Sequence, residues 1–195
     1  MKSDVVSADE ALKRLSEGNQ RYVVGKFIRP HQTSVRRAEL IEGQHPFAIV
    51  LGCSDSRIPV ELVFDQGVGD IFVVRNAGNI ADDVSLASIE YAAAHLHVSL
   101  VVVLGHGSCG AITATAAGGE MEGHLPAIAS VIRPAVEKVK DQQGDLVNNA
   151  ARANAVMVAE KLKSSKPVLS ELVKSGKLTV SAAFYDIKSG KVEFI

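Results

Sequence analysis

The chain has 195 residues, enough for one domain with a large core and cramped for two. A net charge of -1, with 22% charged and 47% hydrophobic residues, argues against disorder and gives no electrostatic reason to expect nucleic acid or an anionic membrane as partner. With no Trp, three Tyr and six Phe there is no aromatic platform for stacking bases, and the apolar runs are far short of a membrane span.

Charges at Lys2, Asp4, Asp9 and Glu10 speak against a secretory leader, so a cytoplasmic location is expected. Ser7 reads as a helix N-cap with Glu10 at the capping-box position, followed by Ala11, Leu12 and Leu15 at helical spacing and Gly18 as the expected stop. Thr33-Ser34 open a second helix that carries Val35, Leu40 and Ile41 and ends near Gly43. Residues 1–43 thus form an N-terminal helical arm. It precedes the first strand, so it either packs on its own sheet or reaches across to a partner subunit.

Phe47 to Gly52 is a short apolar run of the kind that forms a strand buried on both faces of a parallel sheet. It breaks into Cys53-Ser54-Asp55-Ser56-Arg57. Pro59 suits the first turn of a short helix with Val60, Leu62 and Val63. Ile71 to Arg75 is a second strand, closed by Asn76-Ala77-Gly78-Asn79. Asp83 or Ser85 caps a helix running through Ile89, Tyr91, Ala92 and Leu96. Leu100 to Gly105 is a third strand, which breaks into His106-Gly107-Ser108-Cys109-Gly110, and a helix follows from Cys109 to about Ala117.

Helical spacing returns from Pro126 to about Lys140, with Pro134 as an interruption. It returns again from Leu146 to Leu162, where Asn148, Asn149 and Asn154 are among the polar positions, and from Val168 to Val173. Leu178 to Tyr185 and Val192 to Ile195 then read as two strands around a Ser189-Gly190 turn. The pattern is that of a single α/β domain over residues 1–195: a mostly parallel central sheet with flanking helices, an N-terminal helical arm and a C-terminal antiparallel edge.

In parallel sheets, sites collect beyond the carboxyl ends of the strands, which brings Cys53, His106 and Cys109 within reach of one ion. The two cysteines are too few for a disulfide framework and too far apart for a CxxC redox pair. Two sulfurs and an imidazole suit tetrahedral zinc, and three protein ligands leave one position for water, the catalytic arrangement, or for Asp55 to close. Arg57 can hold the Asp55 carboxylate in a bidentate pair, and Cys109 at the start of a helix lies where a thiolate is favoured. This chemistry is metal-assisted hydration or hydrolysis, without a named substrate.

The motifs do resemble a family. Cys53-Ser54-Asp55-Ser56-Arg57, with Glu90-Tyr91-Ala92 and Gly105-His106-Gly107-Ser108-Cys109-Gly110 downstream, closely resembles the β-class carbonic anhydrases from at least Gln44 to Gly110. The resemblance implies one Zn2+ per chain held by Cys53, His106 and Cys109, with Asp55 and Arg57 as a catalytic dyad and Asp55 as fourth ligand in a closed state. It implies reversible hydration of CO2 to bicarbonate and a proton, by attack of zinc-bound hydroxide. It also implies self-association as a dimer or tetramer with swapped N-terminal helices. Gln44, Phe72, Tyr91 and Gly110 match residues that line the substrate pocket in the plant-like branch, some of them supplied by the partner chain. The other branch carries Trp three positions before the first Cys ligand, where this chain has Val50. Relatives of the same fold act on CS2 or COS, which motifs do not separate from CO2.

The remaining histidines, His31, His45, His95, His97 and His124, have no ligand spacing to this set. Arg75 is expected to organise loops or the interface. Gly67-Val68-Gly69 precedes a strand and so is no phosphate loop.

Overall fold

The computed structural model describes residues 5–195. Lys2 and Asp4, which weighed against a leader, lie outside that range, as do the first four residues of the arm. The expected sheet is present: β1 (Ala48–Cys53), β2 (Ile71–Asn76), β3 (Leu100–His106), β4 (Thr179–Tyr185) and β5 (Val192–Phe194) lie in the order β2-β1-β3-β4-β5. The first four are mutually parallel and β5 closes the edge antiparallel to β4. The helices are α1 (Ala8–Val23), α2 (Ser34–Glu39), α3 (Val60–Val63), α4 (Asp83–Ala94), α5 (Gly110–Ala117), α6 (Leu125–Val139), α7 (Leu146–Ser164) and α8 (Val168–Lys174). Among the described residues no helix is long and apolar enough to cross a membrane.

Both faces of the sheet are covered, which explains why β1 and β3 are buried at every position and apolar up to the ligands, not at alternate positions. On one face Ile49, Leu51, Val101 and Val103 pack with Ile89 of α4, Val158 and Leu162 of α7 and Leu169 of α8. On the other, Val50, Val102 and Leu104 meet Ala11 and Leu15 of α1 and Val60 and Val63 of α3. The first arm helix therefore packs on its own sheet, while α2 has no buried residue. A third cluster sits over the carboxyl ends of the strands and joins Cys53 and Cys109 to Ile112 of α5, Ile132 of α6 and Ala150 and Ala151 of α7.

Three expectations are corrected. Gly18 does not stop the first helix: Ser7 caps it by accepting from the Glu10 N–H, and the helix continues to Val23. Gly18 is needed for close approach, since a Cβ there would lie 1.8 Å from the Phe64 carbonyl oxygen. The cap of α4 is Asp82, whose carboxylate accepts from the Ser85 N–H at 2.8 Å, and neither Asp83 nor Ser85 fills that position. Pro134 does not break α6; it lies on the exposed side, where water can satisfy the carbonyl that loses its amide partner.

The segment after α1 is pinned by Asp65, whose side chain is 2% exposed and accepts from Arg21 Nε at 2.6 Å and from the N–H groups of Ile28 and Arg29 at 3.1 and 3.0 Å. Burial would push this carboxyl up, but the guanidinium and the two amides outweigh it and hold it below the usual carboxylate range.

Two expected outcomes follow from these contacts. Gly18→Ala should destabilise the chain by about 2 kcal/mol in chemical denaturation, because the obstacle is backbone and α1 must shift. Asp65→Asn should cost about 3 kcal/mol at neutral pH. Because the folded pKa is depressed, that stabilisation is fully present above the unfolded value of about 3.9 and fades as pH falls through the folded one. The stability gap between wild type and Asp65→Asn, measured by urea unfolding across acid pH, should therefore close from about pH 4 downward.

Candidate metal centre and its flanking dyad

Cys53 is the last residue of β1 and His106 the last of β3, and these strands are direct neighbours with Gly52 opposite Leu104. Cys109 occupies the N-cap of α5 after a turn in which Ser108 takes a positive φ of 53°. The ligand atoms of Cys53, His106 and Cys109 all lie within 4.8 Å of one another, and all three residues are buried. His106 is oriented by its own loop: Nδ1 lies 2.8 Å from the Gly107 carbonyl oxygen, which places the proton on Nδ1 and leaves Nε2 as a lone-pair donor. Nε2 is buried and has no hydrogen-bond partner among the described residues.

An orphaned imidazole nitrogen beside two buried thiols is costly on its own and is compensated by a cation. The thiol chemistry agrees. Hydrogen bonding from Cys109 and from the Gly78 N–H holds the Cys53 thiol well below its ordinary range, against the opposing effect of burial. The same Cys53 contact, together with burial, pushes Cys109 up. One thiolate thus forms readily, and a second in the same site calls for a divalent positive charge. The donor set is two soft sulfurs and one nitrogen, and zinc fits it, at one such site among the described residues of each chain.

Asp55 stands outside this cluster of ligand atoms. Its carboxylate is engaged on both oxygens by Arg57, from Nε at 2.9 Å and from a terminal nitrogen at 2.7 Å, and it also accepts the Arg57 N–H at 2.9 Å. The Arg57 side chain is the main reason the carboxyl is lowered to about 2, so it stays ionised throughout the neutral range. Arg57 also donates to the Ser108 carbonyl at 3.1 Å, which ties the β1 loop to the β3 loop. Beside Cys109 lies an apolar cleft of about 200 Å³ lined by Ala77, Gly110, Ala111, Ala114, Leu125 and Ile128, among others.

A sequence profile described as carbonic anhydrase matches residues 48–192. The chain belongs to the β-class carbonic anhydrase family. It is 50% identical over 129 residues to a carbonic anhydrase of Mycolicibacterium smegmatis, a match covering 66% of this chain and 61% of that protein. Against carbonic anhydrase 2 of Mycobacterium tuberculosis it is 37% identical over 185 residues, 93% of this chain and 89% of that one. Among solved structures it resembles a tetrameric β-carbonic anhydrase of Sordaria macrospora, with a TM-score of 0.76 at 29% identity over 82% of this chain and 85% of that one.

In this β-carbonic anhydrase chain the residues singled out from sequence fall into two places. Cys53, His106, Cys109, Asp55, Arg57 and Gly110 gather at the carboxyl ends of β1 and β3. Phe72 and Tyr91 do not join them. Phe72 is paired with Ile49 while Asn76 is paired with Cys53, so Phe72 lies roughly 13 Å down the sheet at about 3.3 Å per residue. There it forms an aromatic row with Tyr91 and His95 at centroid separations of 6.3 and 5.5 Å. Gln44, exposed just before β1, lies at the same end of the sheet.

Arg75 organises loops, as expected. Its Nε donates to the Cys53 carbonyl at 2.8 Å and a terminal nitrogen to the Asp55 carbonyl at 2.7 Å. Two groups escaped the sequence reading. The Gly78 N–H donates to Cys53 Sγ at 3.3 Å, and Asn148 accepts the Ser108 N–H at 3.1 Å. By sequence Asn148 is a polar position on a helix, and nothing in its spacing ties it to a loop forty residues earlier.

Arg75→Lys replaces a planar fork with a single ammonium that cannot hold both carbonyls. Zinc retained after dialysis against a chelator should fall roughly tenfold relative to wild type, with little change in the thermal stability of the metal-free protein.

Proposed function

We propose that the chain catalyses the reversible hydration of CO2 to bicarbonate and a proton as a zinc-dependent carbonic anhydrase. The observation that carries this reading is the buried Cys53-His106-Cys109 triangle with its unpartnered imidazole nitrogen, set beside an ionised carboxylate. Cys53, His106 and Cys109 would hold the zinc. When bound, the metal supplies Lewis acidity, which lowers the pKa of a water from roughly 15.7 toward roughly 7.

Asp55 accepts a hydrogen bond from the attacking water and turns its lone pair toward carbon. Arg57 keeps that carboxylate charged and away from the metal, because both oxygens are committed to the guanidinium. The apolar cleft at Gly110 and Ala77 suits an uncharged molecule as small as CO2 better than it suits an ester or a peptide. Val50 in place of the Trp of the other branch supports the plant-like form.

Self-association as a dimer or tetramer belongs to the same reading. The arm exposes Ile28, Val35 and Ile41 at 65%, 66% and 78%, the kind of apolar surface that a second copy covers. In that assembly Gln44, Phe72 and Tyr91 would serve the partner's pocket. A cytoplasmic setting, where free thiols stay reduced, agrees with Cys53 and Cys109 as metal ligands.

Stopped-flow CO2 hydration on protein of known zinc content tests the proposal. Wild type should carry one zinc per chain and show rates rising from neutral to alkaline pH. Cys109→Ser should lose the metal together with activity. Asp55→Asn should keep the zinc and lose about 100-fold in kcat/KM. A full complement of zinc with no hydration at any pH in that range would sink the proposal.

A further inference from the structure

The loop that closes β2 is held from two sides at Gly78. Its N–H donates to Cys53 Sγ at 3.3 Å, and its carbonyl accepts from Asn154 Nδ2 at 2.9 Å. Gly78 and Asn79 take successive positive φ values of 78° and 44°, and a Cβ at Gly78 would meet Ile132 Cδ1 at 2.6 Å. The backbone here is one that only glycine fits without strain, so its orientation depends on what grips it. Asn154 is 2% exposed and sits on the inward stripe of α7, whose other members are Ala150, Ala151, Ala155, Val158, Ala159 and Leu162. An amide buried in such a stripe costs stability unless it is hydrogen-bonded. The partner it meets is the carbonyl of the same residue whose N–H donates to a candidate metal ligand.

We propose that Asn154 is a positioning residue for Cys53: it holds the Gly78 turn so that the Gly78 N–H points at the Cys53 sulfur. An N–H that donates to a ligating thiolate fixes the sulfur's direction and draws density away from it, so less is donated to the metal. Asn154 touches neither metal nor substrate and acts across one α-carbon: it holds the Gly78–Asn79 peptide, and through the Gly78 backbone the Ala77–Gly78 peptide whose N–H meets the sulfur. The neighbouring α7 residue Asn148 does the complementary task on the other loop, where its side-chain oxygen accepts the Ser108 N–H between His106 and Cys109. One helix thereby buttresses both halves of the site, with a donor on one side and an acceptor on the other. The inference rests on the metal reading proposed above.

The test uses the full chain loaded with Co2+ in place of zinc, whose sulfur-to-cobalt charge-transfer band reports the electron density on the thiolates. Asn154→Leu removes the donor at similar volume. Asn154→Ser, whose hydroxyl is too short to reach the Gly78 carbonyl, carries the test if the leucine variant does not fold. Val158→Ala, a buried truncation on the same helix away from the site, controls for lost stability. The Asn154 variants should move the band to lower energy and weaken zinc roughly tenfold in competition with a chelator. Val158→Ala should lower the melting temperature and leave both readouts where they are. A normal wild-type band that stays in place in the folded Asn154 variants overturns the inference alone. Wild-type protein that shows no such band overturns the metal reading and this inference with it.

Discussion

The structure depends on the register between two neighbouring parallel strands. β1 and β3 are paired so that Gly52 faces Leu104, and both leave the sheet at the same edge, one into Cys53 and the other into His106. A slip of one residue would move one ligand by about 3.3 Å along the sheet. The three ligand atoms sit within 4.8 Å of one another, so a displacement of that size would open the triangle. The apolar side chains on both faces guard against it, because a shift by one would also turn each residue to the opposite layer. Packing on two faces and metal geometry are therefore one constraint expressed twice.

Most of the backbone groups around the ligands obey a second rule: they are held by hydrogen bonds from other elements. Arg75 on β2 holds the carbonyls of Cys53 and Asp55, Arg57 in the β1 loop reaches the Ser108 carbonyl, and Asn148 and Asn154 come from α7. The site is thus closed by contacts between segments that are far apart in sequence. Such a site is set by the completed fold and not by any single loop, so metal affinity and folding stability are linked.

That arrangement explains which parts were legible in the sequence. β1 and β3 announced themselves because a strand buried on both faces has no polar alternation, and Cys53, His106 and Cys109 stood out because they break those runs. The groups that were missed are the ones whose role exists only after distant segments meet. Gly18 looks like a helix stop until the Phe64 carbonyl is found against it, and Asn154 looks like a polar helix position until Gly78 is found beside it. The α4 cap shows a smaller failure of the same kind. Asp83 and Ser85 are the caps the sequence suggests, and only the path of the chain shows that the preceding carboxylate, Asp82, reaches the Ser85 amide.

The aromatic row of Phe72, Tyr91 and His95 presses the question of assembly. In one chain it lies at the amino end of the sheet, while the ligands lie at the carboxyl end, and the rigid strand between them cannot shorten. No side-chain motion spans that distance. If Phe72 and Tyr91 line a substrate pocket, as proposed, the pocket must belong to another copy of the chain. Tyr91, on α4, is 48% exposed, and it supplies the apolar surface that such a contact would bury. On that proposal catalysis and association are not separate properties. A chain that folds perfectly on its own would still have a pocket open on the side its partner is meant to close.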